Sequence, residues 1–100
     1  MLSVAGIVVD EARLALICER YGVAELLVFG SAARDDMRTD SDIDILYTLR
    51  PGTRLGWNIE QLADELAEVF GRTVDLVSRQ ALHPRLKKSV LSEARTMYAA

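Results

Sequence analysis

Asp42 and Asp44 flank Ile43 in a run that alternates carboxylate and apolar side chains. A strand rises about 3.3 Å per residue and sends alternate side chains to opposite faces, so both carboxylates project one way, roughly 6.5 Å apart, while Ile43 and Ile45 project the other. Neighbouring carboxylates repel, and burying part of that charge is unfavourable unless a cation or hydrogen-bond donors compensate. All-oxygen ligation of this kind suits Mg²⁺ or Mn²⁺ better than zinc. A solvated edge strand would carry a bare Asp-x-Asp pair without any chemistry. Asp75 weighs against that, because it is a third carboxylate inside another otherwise apolar run, Thr73 to Val77.

Upstream, the short apolar run Leu26-Leu27-Val28-Phe29 ends on Gly30-Ser31. A strand that ends in Gly-Ser before a helical turn offers backbone N–H groups, a hydroxyl and the positive end of a helix dipole, which are what a triphosphate needs. The same pair also fits a plain turn in which Ser31 N-caps a brief helical turn. Arg34 carries a planar guanidinium suited to phosphate, and is equally placed for a salt bridge with Asp35, Asp36 or Asp40.

These residues need elements to hold them. From about Val8 to Tyr21, apolar Val9, Ala12, Leu16 and Ile17 recur among charged residues and Gly22 supplies a stop, which predicts a first amphipathic helix. The length and flanks of Leu26–Phe29 predict a buried strand. Residues 36–41 read as polar loop, and Asp42 to Thr48 as a second strand broken by Pro51-Gly52. Leu55, Ile59, Leu62, Leu66 and Val69 repeat at helical spacing up to Gly71, predicting a second long helix. Thr73 to Val77 is β-branched and alternating, a third strand in which Asp75 opposes the face of Val74 and Leu76. Leu82, Leu86, Val90, Ala94 and Met97 predict a last helix to about Ala99, with Pro84 in its first turn.

The chain has 100 residues, half of them hydrophobic and 27% charged, which suits one globular domain over 1–100 and leaves no room for a separate acceptor-binding lobe. A net charge of -3 and the lack of a Lys/Arg stripe argue against direct nucleic acid binding, where several phosphates must be neutralised. A single cysteine, Cys18, excludes an intrachain disulfide, and its apolar neighbours predict a buried thiol. The apolar start, Met1 to Val9, lacks a basic leader and no apolar run approaches 18 residues, so the expectation is a cytoplasmic protein with no membrane association. His83 before Pro84 reads as a surface or capping residue, Lys87 and Lys88 as a solvated helix face, and Trp57 as core beside Leu55 and Ile59, although an exposed indole there would suit a partner. Tyr21, Tyr47 and Tyr98 are conceivable self-modification acceptors with no motif behind them.

Gly30-Ser31, ten intervening positions, then Asp42-Ile43-Asp44 resembles the signature of the DNA polymerase β type nucleotidyltransferase superfamily, and Val74-Asp75-Leu76 resembles its third carboxylate. Arg34 after Ala32-Ala33 and the run Asp40 to Ile45 are most similar to the minimal nucleotidyltransferases, the MNT or MntA-like proteins. Many relatives carry Gly after the arginine where this chain has Asp35, a residue that tolerates the left-handed region better than most. The resemblance implies an α/β fold, a small mixed β-sheet of three to four strands with helices packed mainly on one face. It implies that Gly30 and Ser31, with Arg34, hold the phosphates of ATP, that Asp42 and Asp44 bind Mg²⁺, and that Asp75 joins the metal site and helps activate the acceptor hydroxyl. It implies an antitoxin that transfers AMP to a hydroxyl, such as a tyrosine, of a HEPN-domain toxin partner. Two other functions stay open at this point: an antitoxin that neutralises the HEPN partner by binding alone, and a nucleotidyltransferase acting on small molecules of the aminoglycoside kind.

Overall fold

A computed structural model describes residues 2–4, 6–34 and 41–100. The chain opens with a hairpin of β1 (Leu2–Val4) and β2 (Ile7–Val9), followed by α1 (Glu11–Tyr21). The predicted first helix therefore starts three residues late. Ile7-Val8-Val9 is β-branched and pairs as a strand, and Asp10 caps the helix by accepting the Arg13 N–H at 3.1 Å. Gly22 ends α1 in the left-handed conformation, as its position predicted.

β3 (Val23–Phe29) leads through a single 3₁₀ turn (Gly30–Ala32) to β4 (Ile43–Leu49); a second 3₁₀ turn (Gly56–Asn58), α2 (Ile59–Phe70), β5 (Val74–Ser78), α3 (Pro84–Glu93) and β6 (Arg95–Ala99) complete the order. The main sheet runs β5-β4-β3-β6, with β4 and β5 parallel and the other pairs antiparallel. It is the expected mixed sheet, with four strands.

Its fourth strand comes from residues assigned by spacing to the last helix, which ends early. Ala94 turns to an extended conformation and Arg95–Ala99 pairs with the open edge of β3. The helical spacing of Val90, Ala94 and Met97 continues through this break, but the backbone groups along β3 need partners, and pairing overrides the local pattern. Met97 is still buried, from a strand. His83 caps α3, its Nδ1 accepting the Arg85 N–H at 3.1 Å, and Pro84 occupies the first turn.

One face of the sheet makes the core. Leu26 and Val28 of β3, Ile43 and Ile45 of β4 and Val74 of β5 pack with Leu14, Ile17 and Cys18 of α1 and Leu62, Leu66 and Phe70 of α2. The two helices are also joined by Arg13–Glu68 and Arg20–Glu65 ion pairs at 2.9 and 2.6 Å. Trp57 corrects the reading that put it in this core: it lies on the second 3₁₀ turn, 97% exposed, while its neighbour Leu55 is buried. Apolar spacing at a helix start does not say which side the first turn presents. Among the described residues, no helix is long and apolar enough to cross a membrane.

Candidate active site

Strand alternation divides β4 as its sequence predicts. Ile43 and Ile45 enter the core, so Asp44 belongs to the opposite face, with Asp42 one step before the strand on the same side. Asp42 is exposed and Asp44 partly buried. In the parallel ladder Asp44 stands directly opposite Asp75, and on its other side it stands opposite Phe29, the last residue of β3. Residues in register share a face, so the three carboxylates occupy one side of the sheet within two adjacent strands.

The segment that delivers Asp42 is pinned from β5. Ile43 N–H donates to the Thr73 carbonyl at 2.9 Å, and Arg72 Nη1 donates to the Ser41 carbonyl at 3.3 Å. Arg72 thus has a supporting role that no motif signalled, because the contact joins residues whose neighbourhood exists only once β4 and β5 pair.

Gly30 sets the distance between the turn and the carboxylates. Its φ is +69°, and a Cβ there would lie 2.5 Å from Asp44 Oδ2, closer than any side-chain carbon can sit. Only glycine lets the turn press against this carboxylate. The Gly30 carbonyl accepts both the Ala33 and the Arg34 N–H, at 3.1 and 3.2 Å, which closes the turn. Ser31 lies inside that turn, and not at its cap as expected: Phe29 takes the cap position, with no side-chain bond.

Arg34 ends the turn, and its Nη1 donates to Glu93 Oε2 at 3.1 Å. A salt bridge was expected, but with Asp35, Asp36 or Asp40; those three lie outside the described residues, as does most of the predicted 36–41 loop, and the unusual Asp35 with them.

The electrostatics match a site built around surplus negative charge. Burial, then the charges of Asp75 and Asp42, push the Asp44 carboxyl above its ordinary value of 3.8, while the Arg34 guanidinium pulls it back. Among the described residues no three Asp, Glu, His or Cys side chains are already gathered into a metal cage. Repulsion alone would keep them apart, and a divalent cation is the group that would relieve it. Elsewhere, a cleft of about 340 Å³ at the other end of β4 is lined by Tyr47, Arg50 and Ser78 among others and holds no comparable constellation. Chemistry and not concavity locates the site here.

A profile of the nucleotidyltransferase domain matches residues 12–96. The chain belongs to that family. Protein adenylyltransferase MntA of Thermococcus cleftensis is 41% identical over 75 residues, 75% of each chain. A solved minimal nucleotidyltransferase is 42% identical over 85% of each chain, with a TM-score of 0.71. The fold is also shared, at a TM-score of 0.62 and 21% identity over 90% of this chain and 70% of the other, with a structure of the tri-AMPylated Shewanella oneidensis HEPN toxin in complex with its MNT antitoxin. The nucleotidyltransferase and its mixed α/β fold thus stand as the sequence resemblance implied.

Proposed function

We propose that this nucleotidyltransferase transfers AMP from ATP to a hydroxyl, such as a tyrosine, of a HEPN-domain toxin and so acts as its antitoxin. The observation that carries the reading is Asp44 set in register with Asp75, on the face of Asp42 and against a glycine turn that only a missing Cβ allows. The relative named a protein adenylyltransferase and the AMPylated HEPN complex of the same fold supply the acceptor class.

Asp42 and Asp44, with Asp75, would hold Mg²⁺; burial and then the neighbouring carboxylates raise the Asp44 pKa, and that crowded negative charge is what such an ion neutralises. When bound, Mg²⁺ draws electron density from phosphate oxygens and offsets the charge that gathers on the transferring group. Gly30 and Ser31 bring the turn close enough for its backbone and hydroxyl to meet the terminal phosphates. The acceptor oxygen forms a bond to the α-phosphorus, the bond from that phosphorus to its bridging oxygen breaks, and pyrophosphate leaves. Asp75, at the strand next to Asp44, orients the acceptor hydroxyl and takes its proton. Arg34 offers positive charge on the side of the departing pyrophosphate.

The test is intact-mass spectrometry of a HEPN partner after incubation with this chain, ATP and Mg²⁺. A gain of AMP units that EDTA and the Asp42→Asn/Asp44→Asn double variant both abolish is the expected result. A partner silenced in a tight complex with no gain of mass would overturn catalysis as the means of neutralisation.

A further inference from the structure

Different helices cover the two sides of the main sheet. α1 and α2 fill the side of Ile43 and Ile45, and no residue of α3 belongs to that core. On the carboxylate side, Leu46 of β4 stands in register with Leu27 of β3, and both are buried outside the main core, at 1 and 7% exposure. α3 touches β3 and is the helix left to cover this pair. It follows the end of β5 at Ser78 and returns along the sheet until Glu93 meets Arg34 beside the Gly30 turn. α3 is therefore a wall next to the three carboxylates, and a large acceptor that brings its hydroxyl to Asp44 and Asp75 from this side comes up against it.

That wall is thinly packed and one-sided in charge. None of its ten residues is buried, and Leu86 is 53% exposed. Arg85, Lys87 and Lys88 gather in its first half, the two lysines being the only ones in a chain of net charge -3. An acid four residues further on would balance a helical cation, but Arg85 and Lys88 are followed at that spacing by Ser89 and Ser92. The one acid of the helix, Glu93, pairs with Arg34. Among the described residues, Arg85, Lys87 and Lys88 have no ion-pair partner. Their mutual repulsion is a cost that the fold does not recover, and such local conflicts mark functional surfaces.

Resting on the transfer reading above, we infer that the exposed side of α3 is the docking surface for the acceptor protein, which meets it with a patch of Asp and Glu around an apolar centre that receives Leu86. Roughly 12 Å of helix separate Arg85 from Glu93, so a small acceptor at the carboxylates gains nothing from the patch, whereas a folded protein spans both. Three cations around an exposed leucine suit a protein surface better than a nucleic acid backbone, where more phosphates must be neutralised.

The experiment measures affinity for the HEPN partner by titration calorimetry in EDTA without ATP, so that it does not depend on transfer. Arg85→Gln/Lys87→Gln/Lys88→Gln weakens the complex about five- to fiftyfold at low salt, the size expected for three exposed charge pairs together. The gap closes as salt is raised. Leu86→Ala weakens it about fivefold or more. Arg13→Gln/Arg20→Gln, which removes cations from α1 across the sheet, stays within about twofold, and the α3 variants shift the thermal midpoint no more than a surface change does. In turnover, KM for the partner rises while kcat at saturation and KM for ATP hold. Unchanged affinity of the triple variant, or an equal loss in the α1 control, overturns the inference. An RNA oligonucleotide held by the natural chain and lost by the triple variant, with affinity for the partner unchanged, also overturns it and gives the patch to nucleic acid. A partner bound through α3 that gains no AMP removes the transfer reading and leaves the docking surface standing, whereas a chain that neither binds nor modifies the partner overturns both.

Discussion

Gly30→Ala tests the site through a single methyl group. Gly30 and Gly71 share the same backbone angle, φ +69°, but differ in surroundings: nothing lies within 4 Å of a Cβ built at Gly71, while at Gly30 it meets Asp44 Oδ2 at 2.5 Å and Asp44 Cγ at 3.4 Å. Alanine in the left-handed region costs roughly 1–2 kcal/mol, partly offset by about 0.4–1 kcal/mol from a stiffer unfolded chain. Gly71→Ala should therefore lose about 1 kcal/mol, a fall in thermal midpoint of roughly 4–8 °C for a domain of this size. Gly30→Ala carries that cost and a collision. If the turn holds, the Asp44 carboxylate swings away; if the carboxylate holds, the crowding adds about 1–3 kcal/mol. Either way the reacting groups lose their arrangement, and AMP transfer per folded molecule should fall by about 10²–10³, the size seen when one preorganised electrostatic contact is removed. The assay pairs thermal unfolding with the mass gain of the partner, and Gly71→Ala serves as the control that loses stability and keeps its rate. A Gly30→Ala protein no less stable than Gly71→Ala and fully active would refute the close approach of turn and carboxylate.

Asp44→Asn should abolish transfer yet raise the thermal midpoint at neutral pH in EDTA. A carboxyl whose folded pKa is raised contributes stability fully below its unfolded value, near 3.8, and loses it as pH rises through the folded value, so the variant should level the fall in stability across that window. Mg²⁺ at a hundred times its Kd should stabilise the natural chain by about 2.7 kcal/mol and Asp44→Asn far less, read in the same melts. Cys18, fully buried with burial pushing its thiol up to about 12, should resist a disulfide reagent at pH 8 in the native state and react at the rate of unfolding. Trp57→Ala should change stability by no more than about 0.5 kcal/mol, and the indole should be freely quenched by acrylamide, where a core tryptophan would be protected and costly to remove.

What could be read from the sequence was whatever depends on neighbours along the chain. The apolar period of Leu62 and Leu66, the caps at Gly22 and Gly71, and the alternation through Asp42–Ile45 are local, and each stands in the fold as its pattern implied. The two misassigned strands share a cause in long-range pairing. Ile7–Val9 became a strand because it meets Leu2–Val4, and Arg95–Ala99 because β3 had an open edge; helical spacing in Val8–Ile17 and Val90–Met97 could not register either partner. The carboxylates were legible one by one, and so was the prospect of a shared face. Their register was not: that Asp44 meets Asp75 and not a residue one place along follows from the β4–β5 alignment, which positions outside both motifs help to secure, Arg72 and Thr73 among them.

The two faces of β4 explain how a chain this small can carry mutually repelling carboxylates and still fold. Ile43 and Ile45 are completely buried, each contributing about 1.5–3 kcal/mol by leaving water, and Val74 and Leu76 join them from β5 on the same side. That gain fixes the strand register, because a slip of one residue would carry the isoleucines to the carboxylate face and drive Asp44 into the core. The alternation that secures the fold therefore also aims the carboxylates, and the unfavourable charge is kept out of the main core on the side of the proposed site. The strand thus gives the Ile43/Ile45 side wholly to the core and places Asp44 on the other, where Leu46 further along is also buried. Asparagine at Asp44 should consequently remove activity while relieving the fold, and alanine at Ile45 should do the reverse, lowering stability by about 2–5 kcal/mol while the molecules that remain folded keep their rate.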